Sequence, residues 1–570
     1  MEDKCPDWFD DVNNMRRTYK NPDSLPSHIV DLIGSPEFQE CAKARARRAA
    51  ASSGLVVFIG AGDLSSTVIR NLSGYTDDNA RSLTGDNRKH IVTVAIDTKI
   101  SVASSYADYF FQLKDKQALW DDRILIALLE ALLPRKRRTI AGSLPNQVAH
   151  ILRRDRGFAL LHIAPMLIGD YHGFNVKAVF EAAERLGYQV MPDKDAAIRA
   201  MDKRQFWLAY HNHPLFAEHL LKQEVLDIPP RVVDVLLSSS EFSVSEELEQ
   251  FMKEAEQKVR SIGWPCMLKP AISEFGYAQV KLEDIGHLGS ALRIVVEQCR
   301  KYWVNPGYRV VIESFVERKV VDRLTKGRPV ELLQIVLRHL NGDGKLISTC
   351  LPPIWFVNYQ SRTYGGTDLV AGPQVFDFAI QAPARALPEL LSDAQYIEIR
   401  QKSIQLVESM TKAPGLFGLE IFLTSNGEFK FNRVSVRTQD TMFATLPTPQ
   451  TNAFALLAKV IQNERIDDDQ LLIQTCISGV KTIVWEEDET GRILDFQGKK
   501  DAEQVENVWK VDIYTEKREL RPLRRFGLIQ VCVPIEADIG ADDVKAAIDK
   551  VRISMEEARR RINIVADLDQ

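Results

Sequence analysis

The apolar positions along this chain change spacing several times, and each change marks an element. Leu55 to Ile59 form a short apolar run that meets Gly60, Ala61 and Gly62, and a helical spacing begins near Ser65. That is strand, glycine turn, helix. "HIVTVAIDTK" is a second strand, "YADYFFQL" alternates, and helices lead to a further apolar strand, "FALLHIAPMLIG". Strands alternating with helices predict a parallel α/β sheet. Taken alone, the glycine turn fits a tight chain reversal as well as a dinucleotide site.

From "RLGYQVMPDKDAAIRAMDKRQFW" the pattern predicts a long helical region to about residue 260. "GWPCMLKPAISEFGYAQ" then reads as a strand running into a small-residue loop, and "YRVVIESFVE" as another strand. Two hairpins follow. "PVELLQIVLRHLNGDGKLIST" turns at Asn341-Gly342-Asp343-Gly344, and "GLFGLEIFLTSNGEFKFNRVSVRTQDT" at Ser425-Asn426-Gly427. Period two puts Glu420 and Phe422 on one face, and Asn432, Val434 and Val436 on one face of the return strand. The last hundred residues hold short strands, the basic stretch "EKRELRPLRRFGLIQVCV" and a closing charged helix, "DDVKAAIDKVRISMEEARRRINIV".

Composition adds limits. A chain of 570 residues makes roughly three or four domains. With 45% hydrophobic and 26% charged residues and a formal charge of −5, nothing asks for nucleic acid. No run of ~18 apolar residues calls for a membrane, and the polar start predicts a cytoplasmic protein. Seven scattered cysteines without a C-x-x-C pair suggest neither a disulfide framework nor zinc. "EFQECAKARARRAAASSG" fits a surface helix or a basic contact, and no function is assigned to it. His211 and His213 read as structural, and "IDDDQ" at 466 to 470 as a solvated turn.

In order, "GAGDL", "GWPCMLKPAIS", "VVIESFVE", "GLFGLEIF", "RTQDT" and "RRFG" resemble the ATP-grasp superfamily, and within it the formate-dependent phosphoribosylglycinamide formyltransferases. The corresponding family motifs are G-S-G-E-L, G-L-F-G-V-E-L-F, R-P-H-D-T and R-R-L-G, and the resemblance covers about residues 54 to 565. It implies mixed α/β and α+β architecture: an extension (1–50), a Rossmann-like pre-ATP-grasp domain (51–198), a two-lobed ATP-grasp domain (199–475) and a small β-rich C-terminal domain (476–570). It also implies ATP and Mg²⁺ as cofactors, small-molecule substrates, one of them phosphorylated, and a homodimer. The implied chemistry moves the γ-phosphoryl group to a carboxylate, and an amine attacks the acyl phosphate.

Residue by residue, the resemblance assigns ATP to Lys203, Lys269, Ser273, Gly276, Glu313, Val316 and Glu331, with the adenine against the edge strand that ends at Glu313, Ser314, Phe315 and Val316. Metal falls to Glu420 and Asn432. The second substrate falls to Asp63, Leu64, Asp170, Asp440, Lys517, Arg524 and Arg525, of which Asp440 and Arg525, with Lys269, are the catalytic candidates. The cations near the C-terminus suit a phosphate, and a solvated basic face is the alternative.

Two departures have opposite sign. The loop motif S-S-S-G-K-G-Q has become Ser273-Glu274-Phe275-Gly276-Tyr277-Ala278-Gln279, losing a lysine and gaining a carboxylate, while the second acid of N-E-V-S-P-R has become Arg433. An uncompensated Glu274 facing a triphosphate would cost about 4 kcal/mol per charge pair at an effective dielectric of ~20. Glu274 and Arg433 are therefore expected either to pair across the cleft or to turn to solvent. The resulting reading is an ATP-dependent carboxylate–amine ligase or transferase, with substrates other than the ordinary formate and glycinamide ribotide pair. The alternatives are a binding or regulatory protein that has lost ATP chemistry, and an enzyme using another reaction in the phosphorylated-ligand pocket.

Overall fold

The computed structural model describes residues 54–59, 62–73, 91–97, 106–107, 109–113, 122–132, 158–163, 176–238, 246–272, 278–302, 308–321, 325, 327–359, 375–383, 391–471, 474–487, 489–514, 519–536 and 540–568. These fall into two compact units, Met1–Lys194 with Leu457–Glu464, and Asp195–Leu456 with Arg465–Gln570.

In the first unit five strands form one wholly parallel sheet in the order β3-β2-β1-β4-β5. They are β1 (Gly54–Ile59), β2 (Ile91–Asp97), β3 (Tyr109–Gln112), β4 (Phe158–Ile163) and β5 (Gln189–Met191). Helices α1 (Asp63–Ser73), α2 (Asp122–Leu132) and α3 (Val176–Arg185) lie between β1 and β2, β3 and β4, and β4 and β5, an interleaving of strand and helix that the sequence pattern predicts. Val56, Val57 and Phe58 have no exposed surface, the expected state of a parallel strand covered on both faces.

The second unit holds two larger β-structures. One is an antiparallel sheet of β6 (Gln223–Asp227), β7 (Cys266–Pro270), β8 (Val280–Leu282) and β9 (Arg309–Ser314), ordered β6-β9-β7-β8. Its core packs against α5 (Pro230–Leu237), α6 (Glu246–Ile262) and α7 (Leu288–Tyr302), which follow α4 (Lys203–Tyr210). β6 lies inside the stretch whose spacing predicts continuous helix. "QEVLD" is short, and its partner β9 lies more than eighty residues downstream, so no local signal announces it.

The other sheet has nine antiparallel strands, ordered β15-β14-β10-β12-β13-β16-β20-β18 with β11 on the side of β10. Its strands are β10 (Glu331–Leu340), β11 (Leu346–Cys350), β12 (Ile354–Asn358), β13 (Phe376–Gln381), β14 (Gly415–Leu423), β15 (Phe429–Ser435), β16 (Cys476–Val484), β18 (Val508–Ile513) and β20 (Arg525–Pro534). Both hairpins form with left-handed glycines in their turns, Gly344 at φ +78° and Gly427 at φ +87°. Helix α8 (Asp393–Met410) packs on β10 and β11. Strands drawn from residues 476–570 continue this same sheet, and β17 (Gly491–Gln497), β19 (Glu519–Leu520) and β21 (Asn563–Leu568) form a small separate one.

The closing helix α9 (Ala541–Arg561) crosses β16 and β20 and is followed by β21, a strand the charged pattern of the C-terminal stretch hides. Gly479 permits the crossing, because a Cβ there would lie 2.5 Å from Val551 Cγ1. The solvated turn expected at 466 to 470 is instead a short helix, Asp468–Leu471. Its Asp468 accepts a hydrogen bond from Thr349 at 3.0 Å and lies 3.0 Å from Nε2 of the fully buried His339. Among the described residues no helix is long and apolar enough to cross a membrane. The five described cysteines carry no disulfide.

Candidate functional site

The site can be built from β7 and the start of α4. Asp202 caps α4, its carboxylate accepting from the amide of Arg204 at 2.8 Å and of Gln205 at 3.3 Å. Lys203 is thereby the first helical residue. Its own amide donates to the carbonyl of Ala271 (2.9 Å) and its ammonium to that of Pro270 (3.3 Å), which fastens it beside the end of β7.

Lys203 lines a small open cleft whose walls include Trp207, Glu313, Asn432 and Arg433. Three stretches far apart in sequence, around residues 203, 313 and 432, thus meet at one cavity. Although the Lys203 side chain keeps some exposure, burial brings its pKa down to about 7, and the charges of Arg433 and Lys269 add to that fall against the opposing pull of Glu313 and Asp202.

Lys269 is 6% exposed and forms an ion pair with Glu313, itself 5% exposed. The two are the residues the resemblance assigns to phosphate and adenine, and here each satisfies the other. The expected edge strand is an interior one, since β9 is hydrogen-bonded to β6 on one side and β7 on the other. At its end, the amides of Ser314 and Phe315 donate to the carbonyls of Lys222 and Pro265. Val316 follows them, half-buried. Glu331 is buried, paired with Arg318, and accepts from the Asn358 amide at 2.9 Å. Burial raises its pKa, the Arg318 charge opposes this, and nearby Glu420 adds to the rise.

The metal candidates come together, though by a route period two does not foresee. A β-bulge shifts the β14–β15 register, so Ile421 faces Phe431 while Glu420 faces Arg433. Asn432 is the extra residue, and Arg433 stands directly across from Glu420; the single face expected for Asn432, Val434 and Val436 is broken at this point. The Glu420 carboxylate accepts from the amide of Gln439 at 3.0 Å and, at the weak limit of 3.5 Å, from that of Asn432. Magnesium wants near-octahedral oxygen and tolerates few substitutes. A single carboxylate already holding two amides, with a guanidinium opposite, does not fit it. Among the described residues no group of three histidine, cysteine, aspartate or glutamate side chains could hold a metal.

Of the second-substrate candidates, Asp440 and Arg525 form an ion pair at 2.6 Å, with side chains 17% and 12% exposed. Asp440 Oδ1 is buried without a hydrogen-bond partner among the described residues. Arg525 also lies 5.9 Å from the ring centres of both Phe443 and Tyr514. Arg524, its neighbour, turns instead to Glu519, reaching the carboxylate at 2.9 Å and the carbonyl at 3.1 Å. Leu64 is buried in α1 of the first unit, where Asp63 opens the same helix. Ser273, Glu274, Gly276, Asp170 and Lys517 lie outside the described residues, and with them the expected pairing of Glu274 with Arg433. Arg318, Gln439 and Asn358 were not foreseen from sequence. The one local signal is that Gln439 sits inside "RTQDT".

No protein-family model matches the chain. Among curated proteins, it is 22% identical over 327 residues to the formate-dependent phosphoribosylglycinamide formyltransferase of Ignicoccus hospitalis, covering 57% of this chain and 65% of that one. It is 26% identical over 320 residues to the protein of the same name from Syntrophotalea carbinolica, covering 56% and 68%. The chain therefore spans about two thirds of the length of these relatives.

Among solved structures, N5-carboxyaminoimidazole ribonucleotide synthetase from Thermotoga maritima matches 90% of this chain and 100% of its own, with a TM-score of 0.53 at 17% identity. Glycinamide-RNase-transformylase T from Mycobacterium tuberculosis matches 89% and 100%, with a TM-score of 0.52 at 15% identity. The biotin carboxylase domain of 2-oxoglutarate carboxylase from Hydrogenobacter thermophilus, solved with MgADP, matches 90% and 91%, with a TM-score of 0.55 at 13% identity. This chain has the ATP-grasp fold, and in sequence it is a distant relative of the formate-dependent phosphoribosylglycinamide formyltransferases.

Proposed function

We propose that the chain is an ATP-dependent ligase or transferase that activates a small carboxylate as an acyl phosphate for attack by an amine, with substrates other than formate and glycinamide ribotide. The observation that carries this reading is the meeting of Lys203, Glu313 and Asn432 at one cleft, because all three were assigned to nucleotide or metal from separate stretches of sequence. Under this reading a carboxylate oxygen attacks the γ-phosphorus and ADP leaves. The amine nitrogen then attacks the acyl carbon, inorganic phosphate departs, and the nitrogen gives up a proton. Lys203 and Arg433 supply positive charge for the phosphoryl transfer, Lys269 being held by Glu313.

The Asp440–Arg525 pair is the candidate anchor for a phosphorylated substrate, with the guanidinium as the phosphate partner. A cytoplasmic homodimer is part of the proposal, and light scattering on the purified chain tests the dimer. A second reading is favoured by the Lys269–Glu313 pair, which ties up two of the assigned ATP contacts: the chain binds its ligands and performs no ATP chemistry. Release of ADP from ATP, measured across panels of small carboxylates and phosphorylated amines, separates the two. Release that depends on both a carboxylate and an amine supports the ligase. ATP binding without release under any pair supports the second reading.

A further inference from the structure

The nine-stranded sheet carries a line of polar side chains that the proposed chemistry does not use, and one end of it is Glu331. At the other end Lys481, on β16, pairs with Asp377 of β13 and reaches Glu556 of α9 at 3.1 Å. Asp377 also takes one limb of the Arg328 guanidinium at 2.6 Å, and the side chains of Asp377 and Lys481 are 6% and 5% exposed. The second limb of Arg328 donates to the carbonyl of Asn358, on β12, at 3.3 Å. Asn358 in turn donates from its side-chain amide to Glu331 Oε1 at 2.9 Å, the same oxygen that Arg318 reaches.

Two observations make Asp377 the hinge of this line. It is the extra residue of a β-bulge, since Val357 faces Phe378 and Asn358 faces Phe376, and a bulge re-aims the side chain it inserts. Burial pushes the Asp377 carboxyl up, but Lys481 and Arg328 outweigh it and hold its pKa below the ordinary value, so the ionised form is the one that orients Arg328. Lys481 is shared between Asp377 and Glu556, which leaves Arg328 as the cation that Asp377 directs at Asn358. At Glu331 both donors meet at Oε1, and among the described residues none is placed on Oε2. Of the parts of a nucleotide, the phosphates repel such a carboxylate, whereas the ribose hydroxyls can donate to it.

We propose that Asp377 is a positioning residue for the nucleotide: through Arg328 and Asn358 it sets the Glu331 carboxylate to accept from the ribose hydroxyls. The inference rests on the reading of Glu331 as a nucleotide contact. It concerns binding alone, so it stands under either the ligase or the binding reading.

Isothermal titration calorimetry of the full chain with ATP and with 2′,3′-dideoxy-ATP, both in magnesium chloride, tests it. Wild type is expected to prefer ATP at least about tenfold, the worth of one charge-assisted hydrogen bond. Asp377→Asn is expected to bring the two nucleotides within about threefold of each other while leaving the affinity for the dideoxy nucleotide within about twofold of wild type. A purely structural role would weaken both nucleotides together, and that result, or an unchanged preference, overturns the proposal. Arg328→Lys keeps the positive charge beside Asp377 but not the fork that spans to Asn358, so it is expected to lose the preference as well, and it decides the matter if Asp377→Asn does not fold. Wild type that binds both nucleotides equally overturns the proposal and leaves the nucleotide reading intact. Wild type that binds neither overturns the nucleotide reading, and the proposal with it.

Discussion

Replacing Glu313 with glutamine isolates the energetic weight of the ion pair at the floor of the cleft. The Lys269 and Glu313 side chains are each 7% exposed, so neither charge has water to fall back on when the other is removed. Breaking a buried pair by deleting one partner costs about 3–5 kcal/mol, mostly because the surviving charge is stranded, whereas replacing both by apolar groups of similar volume is often neutral. Glu313→Gln is therefore expected to lose about 3 kcal/mol or more, and the double variant Lys269→Met with Glu313→Leu to recover most of it. Urea unfolding followed by tryptophan fluorescence reads both, with the denaturant slope checked for constancy so that midpoint shifts convert to free energy. A loss below about 1 kcal/mol for Glu313→Gln, the size seen for exposed pairs, would refute the claim that the pair is a buried structural unit.

Two further outcomes follow from other parts of the second unit. Burial, with help from Arg433 and Lys269, brings the pKa of Lys203 down to about 7, below its ordinary value of 10.5. The unfolded chain therefore holds a proton that the folded chain has released between these two values, so stability rises with pH across that window and is lost as pH falls towards 7, by up to about 1.4 kcal/mol per pH unit. Lys203→Met is expected to flatten this rise, and denaturation at pH 7 and pH 9 measures it; equal slopes in variant and wild type contradict it. Asp468→Ala is expected to cost about 1–3 kcal/mol, because it leaves buried His339 and Thr349 without their carboxylate. An unchanged urea midpoint would return Asp468 to the status of a solvated turn residue.

The parts legible in sequence are those whose signal is local. The Asn341–Gly344 and Ser425–Gly427 turns announce their hairpins through glycines in left-handed conformation, and the parallel sheet of the first unit through apolar runs alternating with helical spacing. β6 and β21 were missed because each is short and is held by a partner distant in sequence. The bulge beside Glu420 was missed for a related reason: one added residue changes which side chain faces which, and strict period two carries no trace of it. Lys269 and Glu313 were found, but as separate contacts to a ligand. Their pairing crosses 44 positions and depends on β7 lying beside β9. Likewise Arg318 proves to be the partner of Glu331.

The central claim is that the cleft lined by Lys203 receives a nucleotide. A lysine-reactive acyl phosphate of ATP, followed by peptide mapping, tests it directly, since the probe delivers its acyl group to amines lying against the bound phosphates. The account predicts that Lys203 is labelled and that free ATP protects it. Labelling at Lys203 that is indifferent to ATP, or found only at lysines outside the cleft, would contradict it.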